Sequence, residues 1–140
     1  MEIFESFSRE DTFEFGKSLA EKTEPGSIYM LVGDLGVGKT VFTQGFAKGL
    51  NIDEPVNSPT FTILQVYDEG KMPFYHFDVY RIGDIDEMDE IGYEDCFYGD
   101  GVTIIEWADL IREIIPDSAK RIEIKKDLSK GVDYRKIEIS

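Results

Sequence analysis

The feature that most constrains the fold of this chain is a glycine-rich segment at residues 33–40. It contains, in order, Gly33, Asp34, Leu35, Gly36, Val37, Gly38, Lys39 and Thr40. This order matches G-x-x-x-x-G-K-[ST], the phosphate-binding loop of P-loop nucleotidases. An apolar run at 27–32 precedes the loop, and apolar residues at helical spacing follow it over about 39–49. Because a phosphate cradle needs a strand, a loop and a helix in this order, the sequence predicts a P-loop fold.

The residue types of this loop suit a nucleoside triphosphate. The glycines allow the backbone to turn tightly with its amides pointing inward, at a helix start whose dipole favours anions. We predict that Lys39 reaches the β and γ phosphates and that the hydroxyl of Thr40 holds Mg²⁺. The expected cofactors are therefore ATP or ADP and Mg²⁺.

The length and composition limit the class of protein. A chain of 140 residues with 41% hydrophobic residues is long enough for one core, so we expect a single domain over residues 1–140. No run is long or apolar enough to span a membrane, which predicts no membrane contact. The single cysteine, Cys96, excludes an internal disulfide. We take a cytoplasmic location as the default expectation.

The charge of the chain bears on its partners. The formal net charge is −14, and nucleic-acid binding depends on Lys and Arg neutralising phosphates. Contact with RNA is therefore expected to be indirect or confined to a small basic patch. Residues 82–111 contain ten acids and neither Lys nor Arg. This segment is either a solvated acidic face or a docking surface for a basic protein partner.

Periodicity outlines the order of the elements. It predicts strands near 3–7, 27–32, 61–67, 74–79, 102–106, 121–125 and 134–139. Helices are predicted near 9–22, 39–49, 84–91 and 93–98, with a short one within 107–115. This mixture favours an α/β fold with flanking helices, a mostly parallel central sheet and antiparallel additions.

Two predicted strands end in an acidic residue. A phosphate-binding loop needs such a carboxylate nearby to orient its metal ion. The two strands end at Asp78 and Glu106. Ligands gather at the carboxyl ends of parallel strands, where one carboxylate can orient Mg²⁺. Either acid could serve as the metal ligand. The other could order or deprotonate the attacking water.

Three further positions allow two interpretations. Thr60, in a Ser-Pro-Thr connection, suits a sensor of the γ-phosphate or an ordinary turn. Arg81 could balance phosphate charge or form a surface ion pair. For His76, the only histidine, a structural or hydrogen-bonding role is favoured over a catalytic one.

Several separated segments together resemble one family. They are the glycine-rich loop, Ser58-Pro-Thr-Phe61, His76-Phe-Asp-Val-Tyr-Arg81 and Ile105-Glu-Trp107. In this order and at these intervals they are similar to the TsaE (YjeE) family, the small bacterial P-loop ATPases that help to make threonylcarbamoyladenosine in tRNA. The resemblance extends from about Thr12 to Ile124.

The resemblance implies a role for each matching position. Lys39 and Thr40 would bind phosphate and Mg²⁺, and Thr60 would be a switch-like threonine. Asp78 would be the Walker-B-like acid, and Glu106 would act on Mg²⁺ or on the water. Trp107 would lie close to the nucleotide.

The resemblance also implies the partners. Family members act with the proteins TsaB and TsaD, and TsaD transfers the threonylcarbamoyl group. ATP turnover would reset that complex, be weak in the isolated chain and be stimulated by the partners. The acidic charge fits a subunit that contacts tRNA only indirectly.

Two other functions begin from the same loop. A small-molecule P-loop kinase usually carries an arginine-rich lid, whereas no Arg or Lys occurs between Arg81 and Arg112. A nucleotide-dependent binding switch would bind ATP with negligible turnover, and partner-stimulated phosphate release would rule it out.

Overall fold

Seven strands in the described part of the chain form one sheet. A computed structural model describes residues 2–34, 36–56 and 63–140. The strands are β1 Glu2–Ser6, β2 Ile28–Val32, β3 Leu64–Tyr67, β4 Phe74–Asp78, β5 Val102–Glu106, β6 Lys120–Lys126 and β7 Arg135–Ile139. The helices are α1 Arg9–Lys22, α2 Lys39–Gly49, α3 Asp86–Glu90 and α4 Tyr93–Phe97. Short 3₁₀ segments cover Ala108–Ile114 and Leu128–Lys130.

The sheet is parallel in its middle and antiparallel at both edges. Its strand order is β1-β7-β6-β2-β5-β4-β3. The neighbours β6, β2, β5 and β4 run parallel, whereas β3 pairs antiparallel with β4, and β7 pairs antiparallel with both β6 and β1. The predicted α/β fold with a mostly parallel centre and antiparallel additions is confirmed. The predicted strand start at 61 lies outside the described residues.

Helices cover both faces of the parallel centre, and this explains why β5 is apolar. Ile104 packs in the cluster beneath α1 and α2, with Phe42 and Phe46. The next residue, Ile105, packs in the opposite cluster with Phe97. A central parallel strand buried on both faces carries a continuous apolar run, as β5 does.

Two glycines bring α1 close to α2, the helix that follows the glycine-rich loop. A Cβ atom added at Gly16 would collide with the Phe42 carbonyl, and one at Gly45 with the Phe13 carbonyl. The start of α1 is fixed by Ser8, whose hydroxyl accepts a hydrogen bond from the Asp11 N–H. The close contact at the two glycines holds α2 against α1, and the cap fixes where α1 begins.

The acidic segment packs through its apolar residues and exposes its charges. Met88, Cys96 and Phe97 are buried in the cluster beneath α3 and α4. Most acids of 82–111 are exposed, and Glu106 is the buried exception at the end of β5. No helix in the described part of the chain is long and apolar enough to cross a membrane.

Candidate nucleotide site

The glycine-rich loop leaves the carboxyl end of β2 and leads directly into α2. Gly36 and Gly38 have φ angles of 77° and 109°, which L side chains rarely adopt. Gly38 is also the residue at which α2 is capped. The backbone therefore turns at two glycines and ends with the first amides of a helix, the arrangement that binds phosphate. Leu35 lies outside the described residues.

The predicted phosphate and metal residues stand at the start of α2. Lys39 is the first residue of the helix, and its ammonium lies 3.6 Å from Glu106 Oε1. Thr40 follows and is exposed. Val37 is buried in the core and its N–H donates to the Asp34 carbonyl at 3.1 Å, whereas the side chain of Asp34 is exposed. The loop is thus anchored by Val37, while Asp34 and Thr40 are exposed.

Both predicted acids reach the same edge of the sheet. Asp78 and Glu106 are paired in register at the ends of the parallel strands β4 and β5. Leu31, one residue before the end of β2, pairs with Glu106 on the other side. The strand order therefore brings both carboxylates beside the glycine-rich loop. A P-loop fold with acids at this edge indicates nucleotide binding.

Glu106 is held inside the protein by two basic side chains. It is 4% exposed, and its Oε2 accepts a hydrogen bond of 2.7 Å from Nε2 of His76. Lys39 lies at its other oxygen. Burial by itself raises the pKa of Glu106, but the hydrogen bond from His76 and the nearby Lys39 ammonium outweigh it and lower the pKa below its ordinary value. Glu106 is therefore a buried carboxylate that stays ionised.

Asp78 has a more open environment. Its Oδ1 accepts a hydrogen bond of 3.1 Å from the Tyr80 N–H, and its side chain lines the cleft beside the loop. Partial burial raises the pKa of Asp78, and the charge of Glu106 acts in the same direction, opposed by the Tyr80 hydrogen bond. Asp78 is thus the carboxylate that a bound cation can reach from the cleft.

Trp107 stands beside Lys39, and its predicted closeness to the nucleotide stays a prediction. Its backbone has a φ of 62°, uncommon for a bulky residue, and its ring is 49% exposed. The Lys39 ammonium lies 5.4 Å from the ring centroid, within the range of a cation–π contact. Tyr80 also packs against Trp107, with ring centroids 4.8 Å apart. The segments after β4 and β5 therefore present an aromatic pair to the cleft.

The cleft beside the loop has a volume of about 1320 Å³. Its described lining contains the basic residues Lys39, Arg81, Arg112, Arg121, Lys125 and Lys126. The acids that line it are Asp34, Asp78, Asp109 and Glu123. Bases outnumber acids here, whereas acids outnumber bases in the whole chain, with 29 against 15. The local charge of the cleft therefore suits an anionic ligand better than the surrounding surface does.

The structure adds residues that the sequence did not place in the site. His76 is 1% exposed and contacts Glu106, so its predicted hydrogen-bonding role is confirmed and its partner is new. Tyr80 and Arg135 contact Trp107 and Val37, respectively. Because side chains alternate along a strand, His76 lies on the same face of β4 as Asp78. This alternation was the sequence signal that could have placed His76 in the site. Thr60 lies outside the described residues.

Comparison with known proteins identifies the family. The family model described as "Threonylcarbamoyl adenosine biosynthesis protein TsaE" matches residues 6–137. The chain belongs to the TsaE family. A Bacillus subtilis relative named "tRNA threonylcarbamoyladenosine biosynthesis protein TsaE" is 47% identical over 91% of this chain and 78% of its own length. A Treponema pallidum relative with the same name is 40% identical over 86% and 88%.

A solved structure supports the same assignment. The crystal structure of YdiB from Bacillus subtilis superposes with a TM-score of 0.82 at 40% sequence identity. The match covers 97% of this chain and 82% of that one. The fold and the family membership of this TsaE-family chain therefore rest on independent sequence and structural comparisons.

Proposed function

We propose that this protein binds ATP with Mg²⁺ and hydrolyses it to ADP and phosphate as a step of tRNA threonylcarbamoyladenosine formation. The observation that supports the proposal most directly is the convergence of Lys39, Asp78 and Glu106 beside one glycine-rich loop. Family membership and the printed names of the relatives support the link to tRNA modification. We also propose that the protein acts in the cytoplasm.

The donor atoms beside the loop fit Mg²⁺. Thr40 offers a hydroxyl oxygen and Asp78 a carboxylate oxygen, and Mg²⁺ prefers oxygen ligands while keeping several waters. Among the described residues, no group of three or more His, Cys, Asp or Glu is arranged to hold a metal ion, so the cation would need phosphate and water oxygens as its remaining ligands. Bound Mg²⁺ would supply charge neutralisation on the phosphate oxygens.

Different residues of the chain would then bind the phosphates, bind the cation and orient the attacking water. The loop amides and Lys39 would bind the β and γ phosphates, and Asp78 and Thr40 would hold the cation. Glu106, ionised and fixed by His76, would accept a hydrogen bond from the attacking water and orient it toward the γ-phosphate. Trp107 and Tyr80 would cover the side of the cleft and limit access of other water.

We also propose that turnover depends on protein partners, a TsaB–TsaD complex, with tRNA contacted only through them. The net charge of −14 supports the indirect contact, since it disfavours a polyanion. An isolated P-loop protein can be nearly inert until a partner adds an arginine, which can increase the rate by about 10³ to 10⁵.

Calorimetric titration with ATP and ADP, with and without Mg²⁺, tests the binding step. Lys39→Ala should weaken ATP binding by about 100-fold or more, roughly 3 kcal/mol, because the triphosphate loses its main cation. Lys48→Ala is the matched control, since Lys48 lies on the same helix but pairs with Asp53 at its far end. Equal ATP affinity in the two variants would contradict the proposed site.

Phosphate release with and without TsaB and TsaD tests the hydrolysis step. Stimulated release that requires Lys39 is the expected result. Binding without release, even with both partners present, would instead support a nucleotide-dependent switch. Transfer of phosphate to a small molecule would support a kinase.

A further inference from the structure

The hairpin of β6 and β7 contacts the phosphate loop through one arginine. Nε of Arg135 donates a hydrogen bond of 2.6 Å to the Val37 carbonyl, 98 residues away in the chain. Nη1 of the same guanidinium donates to the carbonyls of Val132 and Tyr134 at 2.9 and 2.7 Å. One side chain therefore ties the end of the hairpin to the backbone of the loop.

The bonded carbonyl belongs to the peptide that precedes the helix. Val37 and Gly38 share this peptide, which is planar, so its carbonyl and the Gly38 N–H point in opposite directions. No cis peptide bond occurs in the described residues. An arginine that holds the carbonyl from the hairpin side therefore directs the Gly38 N–H to the other side, where the loop amides would meet phosphate.

The loop has a particular need for such a restraint. The glycines on either side of Val37 can adopt many backbone conformations at little cost, so they leave the orientation of this peptide weakly determined. The buried Val37 side chain fixes the position of the residue. The guanidinium, which is always charged and donates in a rigid fork, fixes the direction of the carbonyl. Preorganised donors bind an anion without the cost of ordering them at that moment.

From this geometry we infer that Arg135 is a positioning residue that holds the phosphate loop in its anion-binding conformation. The inference rests on the proposed binding of ATP and extends it, because it makes the C-terminal hairpin part of the nucleotide site. Arg135 acts through the Val37 peptide, so its effect concerns the phosphate chain of the ligand.

The test compares Arg135→Ala with Tyr134→Phe. Tyr134 is the neighbouring residue, and its hydroxyl donates to Glu5 at 2.7 Å, so Tyr134→Phe removes a hydrogen bond from the same hairpin and leaves the Val37 contact intact. Thermal unfolding without nucleotide measures what each change costs the fold. Calorimetry with ATP, and competition by inorganic pyrophosphate, measure binding of the phosphate chain.

The expected result is that Arg135→Ala weakens both ATP and pyrophosphate by about tenfold, while Tyr134→Phe binds both as the wild type does. A tenfold change corresponds to about 1.4 kcal/mol. Arg135→Lys, which keeps the charge and one donor, should recover part of the loss. This variant also provides the test if Arg135→Ala does not fold.

Wild-type affinity in Arg135→Ala would overturn the inference and leave the proposed ATP binding intact. Losses of affinity that follow thermal stability equally in Arg135→Ala and Tyr134→Phe would also overturn it, since the arginine would then only stabilise the hairpin. A wild-type protein that binds neither ATP nor pyrophosphate would overturn the proposed function and this inference with it.

Discussion

The neighbouring strands β4 and β5 end side by side in the carboxylates of Asp78 and Glu106, but the surroundings of the two acids differ. Glu106 is buried between His76 and Lys39, and its pKa is lowered. Asp78 lines the cleft, receives one backbone hydrogen bond, and its pKa is raised. Two acids at equivalent strand ends thus become a fixed internal anion and an accessible carboxylate. The surroundings of each acid, more than its position at a strand end, determine its burial and the direction of its pKa shift.

Among the substitutions that test this contrast, Glu106→Gln is expected to have the largest effect. The amide keeps the size of the side chain but lacks the charge that would orient the attacking water, so partner-stimulated hydrolysis should fall by about 10²-fold or more. ATP should still bind within a few-fold of wild type. Phosphate release and calorimetry measure the two effects. Glu123→Gln, at another acid of the cleft, is the control, and unchanged turnover in Glu106→Gln would move the role to Asp78.

A smaller effect is expected for Asp78→Asn. Removal of this charge should weaken ATP binding about tenfold when Mg²⁺ is present, because the cation loses its carboxylate ligand. Binding of ADP in EDTA should not weaken, since the change also removes a negative charge near the phosphates. Calorimetry under both conditions separates these cases, with Asp109→Asn as a control in the same cleft. Equal losses with and without Mg²⁺ would contradict the assignment of Asp78 as metal ligand.

The smallest effect is the pH dependence of stability, which should have opposite signs at the two acids. Since the pKa of Glu106 is lowered from 4.5, its contribution is present above that value and is lost as pH falls through the folded pKa. Since the pKa of Asp78 is raised from 3.8, its contribution is present below that value and is lost as pH rises through the folded pKa.

Thermal unfolding between pH 7 and pH 3, without nucleotide or metal, measures both contributions. As pH falls, wild type should lose stability relative to Glu106→Gln and gain stability relative to Asp78→Asn. Shifts of a few degrees are expected for a chain of this size. Changes of the same sign in both comparisons would show that the two carboxylates are not distinguished in the way that their contacts indicate.

The sequence predicted the parts of the site that follow from local patterns. The glycine-rich loop requires a strand before it and a helix after it, and β2 and α2 are both present. Asp78 and Glu106 were expected at one edge because each ends an apolar strand, and their paired register confirms this. Alternating or continuous apolar runs identified the strands whether they lie at the edge or in the centre.

The features of the site that the sequence could not predict depend on contacts between distant segments. Which acid is buried depends on the neighbours β2 and β4 of the strand that carries Glu106, and no local pattern specifies that order. The Arg135 contact joins residues 98 positions apart and leaves no periodic signal. The left-handed backbone of Trp107 is a property of the turn after β5 and not of tryptophan, which rarely adopts it. The predictions for Leu35 and Thr60 stay predictions.

Lys39 is already shared between the Glu106 carboxylate and the Trp107 ring. A triphosphate bound at the loop would therefore compete with the Glu106 carboxylate for the Lys39 ammonium. If the phosphates took the lysine, Glu106 would lose that ion pair and keep the hydrogen bond from His76. The Lys39 ammonium would then exchange one anionic partner for another. The Glu106 carboxylate would contact water only after the phosphates had paired with Lys39. Without nucleotide, Lys39 and Glu106 would neutralise each other, and nucleotide binding would separate them.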